Sequence, residues 1–354
     1  MKPKERFMTA LELKEPDKVP LSDFLFSKAL FDEVLGGKTE VYEGGKAVRC
    51  ATKLGFDSVW IPVGGYGGYS PEFVGENRYI DEWGTTYCHN DTSWPIDPPV
   101  DYPIKNREDY KNWTIPDAAD PARLDPLKEA IAENSGEIAL CSGVLGPFTC
   151  VGLLMGYEDM AIAFYDDPDL VTDLLNDAAD FSITSGKLLF EAGADALLMG
   201  EDLGYLNGLF VSPEMMRTMV LPVIKRMADE YKKIGAKLLL HCDGDVRQVL
   251  PDIIGTGIAA LHPIERKSHM DLEQVKRDHG KEVCIIGNVN ATTTLVHGTF
   301  EDIEEEVKEC LRIAGPGGGY VIGSDHSISQ GVPIKNALHF FETVLKLRDY
   351  PINL

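Results

Sequence analysis

Long apolar runs are missing from this 354-residue sequence, and so is any excess of basic residues. No stretch reaches the ~18 apolar residues of a membrane-spanning helix, and residues 1–20 lack the apolar core of a signal peptide. With 34 lysines and arginines against 57 aspartates and glutamates, the net charge is -23. This charge is the opposite of a nucleic-acid-binding footprint. We therefore expect a cytoplasmic protein with no membrane and no nucleic-acid partner.

Paired cysteines and a phosphate-binding loop are also missing. The seven cysteines are odd in number, widely spaced and without a Cys-x-x-Cys pair, which argues against a disulfide framework and against a zinc ribbon. No glycine-rich fingerprint follows the first predicted strand, so a doubly wound dinucleotide-binding sheet is disfavoured. Hydrophobic residues make up 44% of the chain, which is enough for the large core of a globular protein.

Eight short apolar segments alternate with amphipathic ones along the chain. These predicted strands span residues 18–26, 55–63, 137–146, 194–204, 236–245, 257–265, 283–290 and 318–328. Helices are predicted between them, for example over 168–193 and 212–235, and both of these end at a glycine. Apolar strands separated by helices pair in parallel with both faces covered. Eight such units predict an α/β fold, a single (β/α)8 TIM barrel over residues 1–354.

The unit after the second strand breaks this rhythm with an insertion over residues 64–136. It holds three of the four tryptophans, Trp83, Trp94 and Trp113. A hairpin is predicted to turn near Gly84, and the proline-rich residues 95–104 predict irregular backbone. Long loops with aromatic residues are typical of ordered lids. In such a lid, Trp83 and Tyr87 would line a substrate pocket, meet a partner, or pack the hairpin onto the barrel.

Coordinating or titratable side chains lie at the carboxyl ends of five of the eight predicted strands. In chain order they are Glu201 and Asp202, then His241, Cys242 and Asp243, then His262 and Glu265, then Asn288 and Asn290, then Ser324, Asp325 and His326. The carboxyl ends of all strands of a TIM barrel meet at one face, so these groups are expected to converge on one pocket. The groups expected to bind substrate there are Asp202, His262, Asn288, Asn290 and Asp325. The other interpretation is local, since such residues also cap helices.

Two kinds of chemistry fit this pocket. His241 and Asp243 lie two residues apart, so they share one face of a strand. With Glu201 and His326 they would supply the nitrogen and oxygen ligands that suit zinc, and zinc would polarise a substrate oxygen as a Lewis acid. The alternative is a pocket without metal, in which Glu201, His241 and Glu265 move protons.

Several longer segments carry a family resemblance. They are RFMTALELKEPDKVP, GEDLGYLNGLFVSPEMM, HCDGD, GNVNATTTLVHGTFEDIEEEV and GPGGGYVIGSDHSI, in that order over nearly the whole chain. Together they resemble the uroporphyrinogen decarboxylase superfamily. The resemblance implies a TIM barrel and one of two chemistries, which are porphyrinogen decarboxylation and cobamide-dependent methyl transfer.

The two branches of that superfamily differ at positions that can be compared with this sequence. The decarboxylases carry an arginine-rich motif after the first strand, but the matching residues 22–34 contain no arginine. Methyltransferases that act on coenzyme M carry a His-x-Cys zinc motif and a further cysteine on strand eight. Here His241 matches the histidine, Asp243 stands at the first cysteine position, and Ser324 stands near the second. Cys242 should face away, unless a bulge exchanges it with Asp243.

Oxygen ligands in place of sulfur harden a metal site, so a thiol substrate is disfavoured. The resemblance then implies the first methyltransferase of an O-demethylase system. It would move a methyl group from a small methoxylated compound, expected to be aromatic, to the Co(I) corrinoid of a partner protein, with zinc activating the ether oxygen. Two alternatives stay open: a decarboxylase-like lyase that acts on a small acid without metal, and a methylcobamide:thiol methyltransferase. The sequence leaves open whether the chain forms a homodimer.

Overall fold

The strands of the barrel follow the predicted segments. The structure is a computed structural model, and it describes residues 1–62 and 72–354. The barrel strands, labelled β1 to β8 in chain order, are Leu25–Phe26, Ser58–Ile61, Ala139–Leu145, Ala196–Gly200, Leu238–His241, Ala260–His262, Cys284–Ile286 and Tyr320–Val321. Each lies inside its predicted segment. Of the second predicted strand, Val63 lies outside the described residues.

Strands β2 to β8 form one parallel sheet in which each strand pairs with the next along the chain. The first strand segment closes this sheet into a barrel. Leu21 forms a parallel bridge with Ile322, directly after β8, and its carbonyl accepts a hydrogen bond from the amide of Asp57, directly before β2. β1 also pairs in parallel with Ile328–Ser329. The prediction of a (β/α)8 barrel is confirmed.

Two apolar cores lie on the two sides of the sheet. Successive residues of a strand point to opposite faces, and β5 shows the result: Leu239 packs inside the barrel, whereas Leu238 and Leu240 pack outside it. The inner core is completed by Phe7 of the first helix together with short side chains such as Ala260 of β6. The apolar runs on both faces therefore reflect a sheet that is covered on both sides.

Helices surround the barrel, and the first of them packs against the inner core. Those of eight residues or more are Pro3–Leu11, Lys28–Leu35, Gly44–Lys53, Asp125–Glu133, Pro147–Met155, Tyr157–Asp166, Pro168–Ala192, Leu221–Lys233, Leu272–His279, Phe300–Ala314 and Ile334–Leu347. Shorter helical segments are Arg107–Asn112, Pro121–Leu124, Pro213–Met215, Met216–Val220, Leu250–Ile254, Arg266–Ser268 and Thr294–His297. Among the described helices, none combines the length and the apolar character needed to span a membrane.

Of the two helices whose bounds were predicted, one is continuous in the structure and the other is interrupted. The helix over 168–193 is continuous and ends at Gly193, whose φ of 117° is left-handed. The helix predicted over 212–235 is interrupted by a π-helical stretch at Met216–Val220. The cause is Pro222, which has no amide proton to donate within the helix and whose ring crowds the preceding turn, and a π-bulge accommodates that defect.

The insertion after β2 forms a small antiparallel sheet. Its strands are Glu72–Phe73, Arg78–Ile80, Thr86–Cys88 and Pro99–Asp101. The hairpin turns at Gly84, whose φ of 89° is left-handed, as predicted. The expectation of irregular backbone over 95–104 is wrong in part, because Pro99–Asp101 is an edge strand, where proline is tolerated. Residues 64–71 of the predicted insertion lie outside the described residues, and a lid function stays a prediction.

Candidate active site

A cavity of about 940 Å³ opens at the carboxyl ends of the barrel strands. Gly200 and Asp202 enter it from the end of β4, His241 and Asp243 from β5, and His326 from the segment after β8. This is the face where TIM-barrel proteins place their active sites.

Three potential metal ligands lie together on the floor of the cavity. One donor atom from each of Asp202, His241 and Asp243 lies within 4.8 Å of the others. Nε2 of His241 is 3.6 Å from Oδ2 of Asp243, near the ~3.3 Å that separates two ligand atoms of tetrahedral zinc. Oδ1 of Asp243 is buried and accepts no hydrogen bond. A buried acceptor without a partner is costly, so the donor set and this oxygen both fit a metal ion.

His262 contacts His241 from the neighbouring strand. Their Nδ1 atoms are 2.7 Å apart, so one must donate and the other must accept. Burial and the nearby His241 lower the pKa of His262 well below its usual range, so His262 is neutral and can accept. With Nδ1 of His241 donating, Nε2 is the nitrogen left for a metal ion. That is the nitrogen that faces Asp243. Burial opposes protonation of His241, but Asp243 outweighs it and raises the pKa of His241, so a metal ion would have to displace the Nε2 proton.

His326 approaches the same carboxylate. Its Nε2 lies 3.0 Å from Oδ2 of Asp243, and its Nδ1 lies 2.7 Å from the hydroxyl oxygen of Ser327. Burial opposes protonation of His326, but Asp243 outweighs it and raises the pKa of His326 to about 9. Burial likewise raises the pKa of Asp243, but the two histidines outweigh it and hold this pKa well below its usual range.

Cys242 faces away from the cavity. Its sulfur accepts a hydrogen bond from the amide of Leu203 at 3.4 Å, and burial raises the pKa of its thiol well above the usual range. A thiol held protonated in the core is neither a metal ligand nor a nucleophile. The alternation of β5 therefore persists to Asp243, which lines the cavity.

Glu201, expected as a zinc ligand and proton carrier, lies outside this group. Its carboxylate is fully buried and accepts hydrogen bonds from the amides of Phe148 and Thr149, at 2.9 and 2.8 Å, where helix Pro147–Met155 begins. Burial raises its pKa to about 8. Asp202, one residue later, takes its place beside His241, because Glu201 already satisfies the amides of the helix start.

The other carboxylates and amides predicted for the site support loops around it. Glu265 accepts from the amide of Gly244 and from Ser268. Asn288 donates to the Ile264 carbonyl, and Asn290 accepts from the amides of two following threonines. Asp325 accepts from the amides of Ala291 and Arg266. None of these four side chains lines the cavity, so the structure does not place Asn288, Asn290 and Asp325 where substrate contacts were predicted, or Glu265 where a proton relay was predicted. Asp202, which was also predicted to bind substrate, does line the cavity.

The aromatic residues predicted to line the pocket pack elsewhere. Trp83 stacks on Trp113 and meets Phe181 edge-on, and Tyr87 stacks on Tyr79. Neither Trp83 nor Tyr87 lines the cavity. Trp83 fastens the insertion to the barrel through Phe181, and Tyr87 packs within the insertion sheet; both follow the packing alternative.

A different set of rings forms one wall of the cavity, and the sequence reasoning missed it. The rings are Phe24, Phe26, Tyr42, Trp60 and Trp94, in mutual contact with centroids 5.2–6.2 Å apart. Phe26 is the last residue of β1, and Trp60 is the next to last of β2. The rule that strand ends meet at one face, applied to aromatic residues as well as polar ones, would have found them.

The fold and the cavity together define a TIM-barrel protein with a candidate metal site at the carboxyl ends of its strands. The profile of the uroporphyrinogen decarboxylase (URO-D) family matches residues 93–347. The chain belongs to this family. That result confirms the resemblance seen in the sequence.

Individual relatives carry two kinds of name. A methylated-thiol–coenzyme M methyltransferase of Methanosarcina mazei is 26% identical over 254 residues, which are 70% of this chain and 65% of the relative. The chain thus spans under two thirds of that protein's length. A uroporphyrinogen decarboxylase of Mannheimia succiniciproducens is 25% identical over 259 residues, 70% of each chain. The solved structure of a methyltransferase from Methanosarcina mazei has a TM-score of 0.77 at 21% identity, covering 98% of this chain and 99% of its own, and supports the fold.

Proposed function

We propose that this protein transfers a methyl group from a small methoxylated aromatic compound to the corrinoid of a partner protein. The observation that carries the proposal is the cluster of Asp202, His241 and Asp243 beside an aromatic wall in one cavity. The wall suits a flat ring, and the cluster supplies one nitrogen and two carboxylate ligands, a set that suits zinc. Methyltransferases among the relatives add support.

Within this proposal, each residue of the cluster has a defined task. Asp202, His241 and Asp243 hold the metal, which when bound supplies a Lewis acid for the ether oxygen. His262 fixes the protonation of His241 at Nδ1, and His326 orients Asp243 through its hydrogen bond, as partners of metal ligands commonly do. The aromatic wall aligns the substrate's ring, so the methoxy group is presented in one orientation.

A metal assay tests the cluster and an activity assay tests the reaction. Protein purified without chelator is expected to contain about one zinc per chain, and His241→Ala and Asp243→Ala should lose it. His279→Ala is the matched control, since His279 ends helix Leu272–His279, pairs with Glu282 and does not line the cavity. Methyl transfer from a methoxyarene to reduced cobalamin should then require the bound metal. A metal-free protein that still transfers methyl groups would overturn the zinc role, and zinc without transfer would overturn the activity.

A thiol methyltransferase is the second candidate, favoured by the name of the relative from Methanosarcina mazei. It would use the same cavity with a thiolate as methyl acceptor. The ligand set speaks against it, because the cluster offers oxygen and nitrogen while Cys242 faces the core. Methyl transfer from methylcobalamin to a thiol, with no transfer from a methoxyarene, would favour this candidate over the first.

A further inference from the structure

Carboxylates line the cavity from its floor to its rim. They are Asp202 and Asp243 on the floor, Asp97 on the wall formed by the insertion, and Glu40, Asp125 and Glu129 at the exposed rim. A zinc ion would offset the charge of the two floor carboxylates. Of the other four, Glu40 and Asp125 pair with exposed lysines. Glu129 and Asp97 pair with no lysine or arginine of the described residues, and these two leave a negative potential along the path into the cavity.

Neither a lysine nor an arginine of the described residues faces this space, and His326, which does line it, already gives its two ring nitrogens to Asp243 and Ser327. Residues 63–71, which the structure does not describe, contain neither lysine nor arginine in the sequence. Lys28 lies over the ring of Trp94 but is paired with Asp91 and is not part of the lining. Lys38 and Lys128 pair with rim carboxylates on the exposed surface.

Asp97 shows how the cavity satisfies its own charges. It is buried, and its Oδ2 accepts from the hydroxyl of Tyr79 and lies 3.0 Å from Nδ1 of His89. The amide of Asn90 donates to its other oxygen. The polar groups of this wall are thus already committed to an internal carboxylate, and a carboxylate on the substrate would compete with Asp97 for the same donors.

An aromatic substrate stacked on the wall of rings would therefore bury any anionic substituent among carboxylates, without a guanidinium or ammonium partner. Burial of an unpaired charge is strongly unfavourable, and a site that lacks a partner for it selects against it. The same features accept an uncharged ring, and they favour a cationic one through the carboxylates and the aromatic faces.

We infer that the methyl donor carries no carboxylate, sulfonate or phosphate, and that it is an uncharged or cationic methoxyarene. This inference rests on the proposed function and names the substrate class within it. It also separates this cavity from one built for a polycarboxylate or for a sulfonated thiol.

Three compounds of nearly equal shape test the inference: 1,2-dimethoxybenzene, 3,4-dimethoxybenzoate and 3,4-dimethoxybenzylammonium. Their binding to the zinc-loaded protein is measured by calorimetry without a corrinoid, so that binding is separated from methyl transfer. The neutral and ammonium compounds should bind, and the benzoate should bind at least ~10-fold more weakly. Added salt should reduce the difference in affinity between the benzoate and the neutral compound, because salt screens the rim carboxylates.

The outcomes distinguish this inference from the proposed function. Benzoate binding as tight as the neutral compound would overturn the inference and leave methyl transfer intact. No binding by any of the three would overturn the aromatic substrate, and with it the proposed function.

A charge change on one helix gives a matched test. Glu129→Lys places a cation at the rim and should strengthen benzoate binding severalfold, with little effect on the neutral compound. Glu133→Lys makes the same change one turn later on helix Asp125–Glu133, at a residue outside the cavity lining. It should leave the ratio of the benzoate affinity to the affinity of the neutral compound unchanged. Equal effects from the two variants would contradict the role of the rim carboxylates.

Discussion

Replacement of Asp57 tests how the barrel is held closed beneath the site. It is fully buried at the amino end of β2, where Oδ1 accepts from Arg6 at 2.5 Å and Oδ2 accepts from the amide of Leu21 at 2.8 Å and from Arg348. One carboxylate thus joins the first helix, the first strand segment and the end of the last helix. Replacing it leaves two largely buried guanidinium groups without their shared partner.

The expected loss of stability for Asp57→Asn follows from that geometry. Breaking a buried ion pair costs about 3–5 kcal/mol, because the remaining charge stays buried. With an unfolding entropy of about 2.1 cal/mol/K per residue, the 354-residue chain should lose roughly 5 °C in Tm. Asparagine has nearly the same shape, so a cavity cannot explain the effect. Thermal unfolding followed by circular dichroism measures it.

Asp229→Asn is the control for this change. Asp229 pairs with Lys225 one helical turn away, and both side chains are about half exposed. Such pairs contribute about 0.3–0.5 kcal/mol, so this variant should unfold within about 1 °C of the parent. If Asp57→Asn also stays within about 1 °C, the buried cluster does not hold the barrel closed, and the reasoning fails.

Three further predictions concern the site and the insertion. His262→Phe removes the acceptor of the His241 Nδ1 proton and should weaken zinc binding about 10–100-fold in a chelator competition, whereas His279→Phe should not. Trp60→Leu should weaken methoxyarene binding in calorimetry because Trp60 lines the cavity, whereas Trp83→Leu should lower Tm and leave binding unchanged. Burial raises the pKa of Asp81 to about 6, so its contribution to stability is full below about pH 4 and is lost as pH rises through 6. Asp81→Asn keeps an acceptor for the two amides that bond Asp81. Its free energy of unfolding should rise by ~2–3 kcal/mol relative to that of the parent as the pH goes from 4 to 7. A Tm difference between the two proteins that stays the same over that range would contradict the raised pKa of Asp81.

The barrel and the location of the candidate site could be predicted because both depend on periodic patterns. Apolar strands covered on both faces and separated by helices leave few topologies, and polar residues in phase with the strand ends share one face. His241 and Asp243 were found in this way, since their spacing keeps them on the same side of β5.

Which of two adjacent residues faces the cavity could not be predicted. Glu201 and Asp202 both follow β4, and once the strand ends at Gly200 the alternation no longer says which one faces the cavity. The helix start at Pro147 decides it, through two amides that need an acceptor. Trp83 and Trp94 pose the same difficulty in the insertion, where long-range packing buries one against Phe181 and leaves the other on the cavity wall.

The chemistry of the candidate metal site depends on the same alternation at one step of β5. Cys242 and Asp243 are neighbours, and one faces the core while the other faces the cavity. A shift of one residue would exchange oxygen for sulfur beside His241. Soft sulfur ligands suit thiolate substrates, whereas harder oxygen ligands suit the polarisation of an ether. Because the sulfur of Cys242 is held by the Leu203 amide and buried, the strand is fixed in the register that places oxygen at the site, and this register is the structural reason to favour an oxygen-linked methyl donor over a thiol.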